Sequence, residues 1–162
     1  MTPILQAQGS LMDYIDLNWQ QLLTYLLQIT GAFLLALPVA WERERSTNIM
    51  GLRTFPLVAV ASCAFVLISL AVVGTDADAQ SRIIQGLMTG MGFIGGGAIL
   101  KDGDRVRGSA TAASVWLVGA LGAAVGYSRW EIAILLSLVT FLTLRLLTPV
   151  VENNQLGRRS DE

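Results

Sequence analysis

A glycine string that could bind a phosphate stands near the middle of the chain. Gly90-x-Gly92-x-x-Gly95 has the spacing with which a dinucleotide-binding loop brings a pyrophosphate to a helix N-terminus. That chemistry needs a strand before the glycines and a helix after them. Here they lie inside residues 83–100, a run without a charged residue, which leaves no place for the strand or for a phosphate. The string therefore predicts close packing of membrane helices.

Small residues four positions apart allow the backbones of neighbouring helices to approach each other. Such spacing occurs in two apolar runs, 83–100 and 110–127. Three consecutive glycines at 95–97 leave a second interpretation open, an unwound turn covered by protein or by a water-filled cavity. The expected helix-packing glycines are Gly86, Gly90, Gly92, Gly95, Gly96, Gly97, Gly122 and Gly126.

Charged and hydroxyl residues gather at the predicted helix ends. Helices are expected to begin at Arg53 and Arg107, where backbone N–H groups and the macrodipole favour an anion and a guanidinium can bind it in bidentate fashion. This arrangement predicts either a pocket for an anion or a lipid headgroup, or a structural role in which the arginines pair with Glu42 and Asp104 and anchor the bundle to anionic lipid. The predicted functional cluster comprises Glu42, Arg43, Arg53, Thr54, Asp104, Arg107 and Thr111.

The composition argues against several classes of function. The chain has no histidine, and no acidic residue lies inside an apolar run, so we predict no catalytic residues, no metal ligands and no cofactor. Asp102 and Asp104 stand among three cations, which makes a poor magnesium site and is typical of a solvated turn. A net charge of -1 offers no basic face for nucleic acid.

The elements that carry these residues are predicted to be membrane helices. Hydrophobic residues make up 53% of the chain and charged residues 14%. Uncharged runs of 18 to 20 residues, each long enough for a bilayer core of roughly 30 Å, are followed by a fifth run whose only charge is Arg145, expected near the headgroups. The predicted fold class is an all-α membrane bundle of about five transmembrane helices, and the runs are 22–41, 55–73, 83–100, 110–127 and 132–151.

Lysine and arginine predict the orientation. Nine of the 11 fall on one side of the five runs, which places the N-terminus outside and the C-terminus in the cytoplasm of the bacterial inner membrane. The predicted cluster is then cytoplasmic. We expect an amphipathic periplasmic segment at 1–21, ending at the helix-capping Asn18, a transmembrane domain at 22–148 and a short polar cytoplasmic tail at 149–162.

Two stretches carry a resemblance to a known family. "WERERSTNIMGLRTFPLVAV" (41–60) and "GLMTGMGFIGGGAILKDGDRVRGSATAASVW" (86–116) resemble the MgtC/SapB family of bacterial inner-membrane proteins. The shared features are an ER dipeptide after the first helix, a GLRT box, a glycine-rich third helix and a VRG…TAA…W entry to the fourth. The resemblance implies a virulence-related role in adaptation to stress such as low magnesium or acid, exerted on other membrane proteins.

Three functions remain open at this point. The favoured one is a non-enzymatic modulator of the MgtC/SapB type, whose partners are the bilayer and other inner-membrane proteins, with glycine-rich helices that offer a surface for a homo-oligomer. The alternative is a small oligomeric transporter or channel for Mg²⁺ or H⁺, in which Gln28, Gln85 and Thr89 could line a path. An intramembrane enzyme is the weakest, because no general base is evident.

Overall fold

A computed structural model describes residues 18–46, 50–102 and 105–160. Most of the predicted N-terminal segment lies outside these residues, as does Asp104. Within the described part of the chain, the elements in order are α1 (Trp19–Ser46), α2 (Thr54–Val73), α3 (Ala77–Gly97), β1 (Leu100–Asp102), β2 (Arg105–Arg107), α4 (Ser109–Gly126) and α5 (Trp130–Ser160).

The all-α membrane bundle predicted from the sequence is confirmed. By length and composition, α1, α2, α4 and the part Trp130–Thr148 of α5 can cross a membrane, whereas α3 is less apolar than these four. The reason is visible in its first turns, where Asp78, Gln80 and Arg82 precede the apolar run. Five helices are therefore present in the described residues, and four of them have the hydropathy of a membrane span.

The helix boundaries agree with prediction best at α2 and α4. The predicted cap of α1 is confirmed, because the Oδ1 atom of Asn18 accepts hydrogen bonds from the backbone N–H groups of Gln20 at 3.1 Å and Gln21 at 3.4 Å. Two helices are longer than expected at their C-terminal ends. α1 continues to Ser46, and α5 continues to Ser160, through most of the predicted polar tail.

The expected start of the third helix at residue 83 was wrong. α3 begins at Ala77, because Asp76 accepts a hydrogen bond from the Ala79 N–H at 2.8 Å and so caps the helix nearly two turns earlier. The helix ends at Gly97, where the N–H groups of Ala98 and Ile99 donate to the carbonyls of Gly95 and Gly96. The three consecutive glycines are thus the last turn of α3 and do not interrupt it.

A two-stranded antiparallel hairpin follows α3 where only a solvated turn was expected. Leu100 pairs with Arg107, and Lys101 pairs with Val106. Two residues, Gly103 and Asp104, separate the strands in the sequence, and a Gly-Asp pair between two short runs is a known signal for a hairpin. The hairpin takes Leu100 out of the third predicted membrane run and Arg107 out of the predicted fourth helix.

α4 lies at the centre of the bundle and contacts each of the other four helices. Its valines 115, 118 and 125 are fully buried, together with Ala32 and Ala36 of α1 and Ala59 of α2. α3, in contrast, packs chiefly against α4 and α2, and only Met91 and Gly95 of this helix are buried. We call the end of the bundle at which α1 and α3 end and α2 and α4 begin the hairpin end.

Candidate functional site

A buried arginine joins two helices at the hairpin end. Arg43, in the last turns of α1, is only 3% exposed, and its Nη2 atom donates a hydrogen bond to the Thr111 hydroxyl at 2.7 Å. Thr111 lies in the first turn of α4 and is fully buried. A guanidinium inside the end of a membrane bundle is costly to desolvate, so such a residue is a candidate for function. The contact between these two members of the predicted cluster ties α1 to α4.

Glu42 links the same end of α1 to α5. Its carboxylate oxygen Oε2 lies 3.5 Å from Nη1 of Arg145, and Glu42 itself is 8% exposed. The sequence had suggested Arg53 or Arg107 as the partner of Glu42, and the structure pairs it with Arg145 instead. Since the Arg145 side chain is 55% exposed, water screens this pair, and its main consequence is to fix where the Glu42 carboxylate points.

Arg53 and Thr54 lie at the start of α2, where the expected backbone anion site is not available. The N–H groups of Thr54 and Phe55 both donate to the Gly51 carbonyl at 3.1 Å, and the next residue, Pro56, has no N–H. The guanidinium of Arg53 is exposed and forms no hydrogen bond or ion pair within the described residues. An anion at this position would therefore be bound by the side chain.

The expectation that a helix begins at Arg107 was also wrong. Arg107 is the last residue of β2, and α4 begins at Ser109, after Gly108 with a left-handed φ of 88°. A Cβ at position 108 would overlap the Ala98 carbonyl oxygen, so glycine is required both for the conformation and for the close approach of α3. The Arg107 side chain is exposed. The structure thus joins Arg43 to Thr111 and Glu42 to Arg145, and shows Arg53 and Arg107 on the surface.

Sequence reasoning missed a second set of polar contacts, at the opposite end of the bundle. The Gln28 amide of α1 donates to the carbonyls of Val125 and Gly126 at 3.0 and 3.2 Å, and to the Ser128 hydroxyl at 3.1 Å. Gln28 is 4% exposed. This glutamine gives the Gly126 carbonyl a partner at the C-terminal end of α4 and adds a second hydrogen bond to the Val125 carbonyl, which also accepts from the Ser128 N–H at 2.8 Å. One sign of this contact was visible in the sequence, namely that a polar residue stands inside the apolar run 22–41.

The glycines of α4 lie against the backbone of α2. A Cβ added at Gly122 would overlap the Ala59 carbonyl group, and one added at Gly126 would lie 2.7 Å from the Cβ of Val66. In α3, a Cβ at Gly95 would come within 3.3 Å of the Ala112 carbonyl oxygen. These three positions allow a separation between helix backbones that larger residues would prevent.

The other glycines of α3 face open space. A Cβ added at Gly92 would meet only the Trp116 ring, at 3.8 Å. Within the described part of the chain, nothing lies within 4 Å of a Cβ added at four further positions, which are Gly86, Gly90, Gly96 and Gly97. The repeated small-residue spacing therefore occupies two different environments in the two helices.

Open space flanks α3 on both sides. A groove of about 710 Å³ separates it from α2, and its walls include Arg53 and Thr54 at one end and Gly86 and Gly90 along the α3 side. A second cavity of about 580 Å³ lies between α3 and the later helices, beside Trp116. The glycines without neighbours at 86 and 90 thus widen a groove and do not close a contact.

The fold and the hairpin end define a multi-pass helical membrane protein with a buried arginine linking its first and fourth helices. A sequence profile of the MgtC family matches residues 29–153, and the chain belongs to that family. It is 33% identical to protein SrpB of Synechococcus elongatus over 89% of this chain and 80% of that protein. It is 32% identical to protein MgtC of Salmonella typhimurium, and 34% identical to protein MgtC of Brucella abortus.

Coverage differs between these relatives. The alignments span 82% and 83% of this chain but only 56% of the Salmonella and Brucella proteins, so the chain corresponds to about half the length of the MgtC proteins it matches. No solved structure matches the chain.

Proposed function

We propose that the chain is a non-enzymatic protein of the bacterial inner membrane that modulates another membrane protein during adaptation to stress such as low magnesium or acid. It binds this partner through the outward face of α3. The family membership and the names of its relatives support the general role. The outward face of α3 is the observation that supports binding of a partner.

Polar side chains near the middle of α3 point away from the rest of the bundle. Gln85 and Thr89 are four residues apart, which places them on one face of the helix, and both are exposed. The Thr89 hydroxyl donates to the Gln85 carbonyl at 2.9 Å, and among the described residues the Gln85 amide has only a 3.5 Å contact, with the Ser81 hydroxyl. Phe93, one turn further on, is 86% exposed.

Such a face is poorly matched to hydrocarbon. Lipid cannot satisfy the hydrogen-bonding groups of an amide, so polar side chains of membrane helices usually face protein or water. A neighbouring helix with hydroxyl or amide side chains would bind this face by interhelical hydrogen bonds, and Gly92 and Gly96 on the same side would allow close approach. The partner is therefore expected to contribute a transmembrane helix with a polar residue near its middle.

Gln28, Gln85 and Thr89 were the residues that could line a transport path. Their positions favour a modulator over a transporter formed by a single chain. Gln28 is occupied by hydrogen bonds to the end of α4, whereas Gln85 and Thr89 lie on the outer surface of α3. They do not converge on one path. An oligomeric transporter for Mg²⁺ or H⁺ remains the alternative, because a second copy could cover the same face.

Site-specific photocrosslinking in cells tests the proposal. A photoreactive amino acid at Thr89 is expected to capture another membrane protein, while the same group at Leu138, an exposed residue of α5, serves as the matched control. The double variant Gln85→Leu, Thr89→Val should lose the crosslink from a probe at Phe93. Equal capture at both positions, or capture only of a second copy, would contradict the proposal.

A flux assay separates the two functions directly. Proteoliposomes that contain only this protein are expected to show no Mg²⁺ or H⁺ flux above that of empty vesicles. Measurable flux that is lost on Gln85→Leu would establish the transporter instead.

A further inference from the structure

The groove between α2 and α3 has the dimensions of one lipid leaflet. On the α2 side its wall runs from Arg53 to Phe65, and on the α3 side from Ile83 to Ile94. At about 1.5 Å per helical residue, either wall is roughly 17 Å long, close to half of a hydrocarbon core of roughly 30 Å. The groove therefore extends from one membrane surface to about the middle of the bilayer.

The chemistry of the groove changes along its length. Arg53 and the Thr54 hydroxyl stand at the hairpin end, and the rest of the wall is apolar apart from Ser62. Among the residues that the structure describes, no carboxylate lies within ion-pair distance of Arg53, and the Glu44 carboxylate accepts a hydrogen bond from the N–H of the neighbouring Leu52 at 2.9 Å. A cation and a hydroxyl at the membrane surface followed by an apolar channel complement a phosphate attached to an acyl chain.

We propose that this groove binds one anionic glycerophospholipid, with its phosphate on Arg53 and Thr54 and one acyl chain along Leu57, Phe65 and Gly90. The planar guanidinium binds phosphate oxygens in bidentate fashion. Bulk lipid is as apolar as the groove, so the acyl chain contributes van der Waals fit, and preference for an anionic headgroup comes from Arg53. This site lies on a different side of α3 from Gln85 and Thr89, and it does not depend on the proposed partner.

Gly86 and Gly90 widen the groove because they have no side chains. A Cβ at Gly86 or Gly90 would meet no described atom within 4 Å, so a larger side chain can enter the space without disturbing the packing of the helices. Gly96, also without neighbours within 4 Å, does not line the groove. Gly90→Leu and Gly96→Leu therefore form a matched pair, in which only the first fills the lipid site.

Native mass spectrometry of the full chain in mild detergent tests the site. With phosphatidylglycerol and phosphatidylcholine supplied in equal amounts, we expect one phosphatidylglycerol retained per chain, by the parent and by Gly96→Leu. Gly90→Leu should weaken this retention by about tenfold or more. Arg53→Gln should lose the preference for phosphatidylglycerol, a change of about tenfold in the ratio of the two lipids, because the cation that favours a net-negative lipid over a zwitterionic one is lost. Inorganic phosphate should not displace the lipid.

A second variant distinguishes a loss of lipid binding from a loss of folding. Ala61→Leu fills the same groove from the α2 wall, and Ala61 is exposed, so this change leaves the core intact. It should reproduce the loss seen with Gly90→Leu, while both variants unfold at the temperature of Gly96→Leu. Equal retention of the two lipids by the parent, or unchanged retention by the groove-filling variants, would overturn the proposal. So would occupation of the groove by a helix of another protein.

Discussion

Helices α3 and α4 carry the same small-residue spacing but use it in opposite ways. In α4, Gly122 and Gly126 lie against the backbone and side chains of α2, and a Cβ would collide with them. In α3, Gly86 and Gly90 have the same spacing, yet no described atom lies within 4 Å of their added Cβ atoms. A small-xxx-small pattern therefore does not by itself show that another helix of the same chain packs against it.

The difference follows from the position of each helix in the bundle. α4 contacts all four other helices, and its face with Gly122 and Gly126 is buried, whereas Trp116 and Ala120 on another face are exposed. α3 stands at the edge, with a groove on one side and a cavity on the other. In a membrane the outer faces of an edge helix meet lipid or another protein, and their composition reflects what they bind.

The largest effect is expected from Gly122→Ala. The added methyl group would overlap the backbone carbonyl of Ala59, which cannot rotate away, so α2 and α4 must separate. We expect the free energy of unfolding to fall by about 1 to 3 kcal/mol or more. Unfolding in mixed micelles measures this, with Gly86→Ala as the matched control. A fall no larger than that of the control would show that the contact between α2 and α4 is looser than the structure has it.

Thr111→Val tests the polar contact that links α1 to the central helix. Valine keeps the shape of threonine but removes the acceptor for Nη2 of the buried Arg43, so we expect a loss of about 1 to 3 kcal/mol. Thr111→Ser retains the hydroxyl and should recover most of this stability in the same unfolding assay. If serine and valine behave alike, the hydrogen bond contributes little and Thr111 acts mainly through packing.

A smaller effect is expected from Gly119→Ala. It should lie between that of Gly122→Ala, where the added methyl group meets backbone, and that of Gly86→Ala, where it meets no described atom. Its added Cβ would overlap the sulphur of Met91 in α3, and methionine is flexible enough to adopt another rotamer. The loss should therefore be below about 1.5 kcal/mol, and clearly smaller than that of Gly122→Ala. A melting temperature in detergent suffices to rank the two. An equal loss would mean that Met91 is held in place more tightly than an edge helix suggests.

Much of the fold followed from the sequence because hydropathy is a local property. The uncharged runs begin within one residue of the helices, at 55 against Thr54 for α2 and at 110 against Ser109 for α4, although α4 does not reach back to Arg107 as expected. The start of α3 was missed because the Asp76 cap and its polar first turns lie outside the apolar run. The hairpin was missed because its strands are only three residues long, too short to show alternation.

The site was harder to predict than the fold, since it depends on which helices become neighbours. Arg43 and Thr111 belong to the predicted cluster, but no pattern in the sequence indicates that they are hydrogen-bonded, 68 positions apart. The structural alternative paired Glu42 with Arg53 or Arg107, whereas its partner is Arg145 of α5, and only the packing of the helices shows that α5 is the neighbour of α1 at this end. Topology gathers charged residues at one end of a bundle, and packing decides their pairs.

The smallest effect, and the one that most sharpens the comparison, is expected from Gly86→Ala. Glycine destabilises a helix by roughly 0.5 to 1 kcal/mol relative to alanine, and an alanine Cβ at this position meets no other atom within 4 Å. The variant should therefore be as stable as the parent or up to about 1 kcal/mol more stable, as measured by unfolding in mixed micelles at low protein concentration. A marked loss of stability would mean that another group contacts Gly86.

Repeating the measurement over a range of protein concentrations then identifies that group, because a contact with a second copy weakens on dilution whereas a contact within the chain does not. A marked loss from either source would contradict the view that Gly86 and Gly90 of α3 line an open groove, unlike Gly122 and Gly126 of α4, which pack against a neighbouring helix.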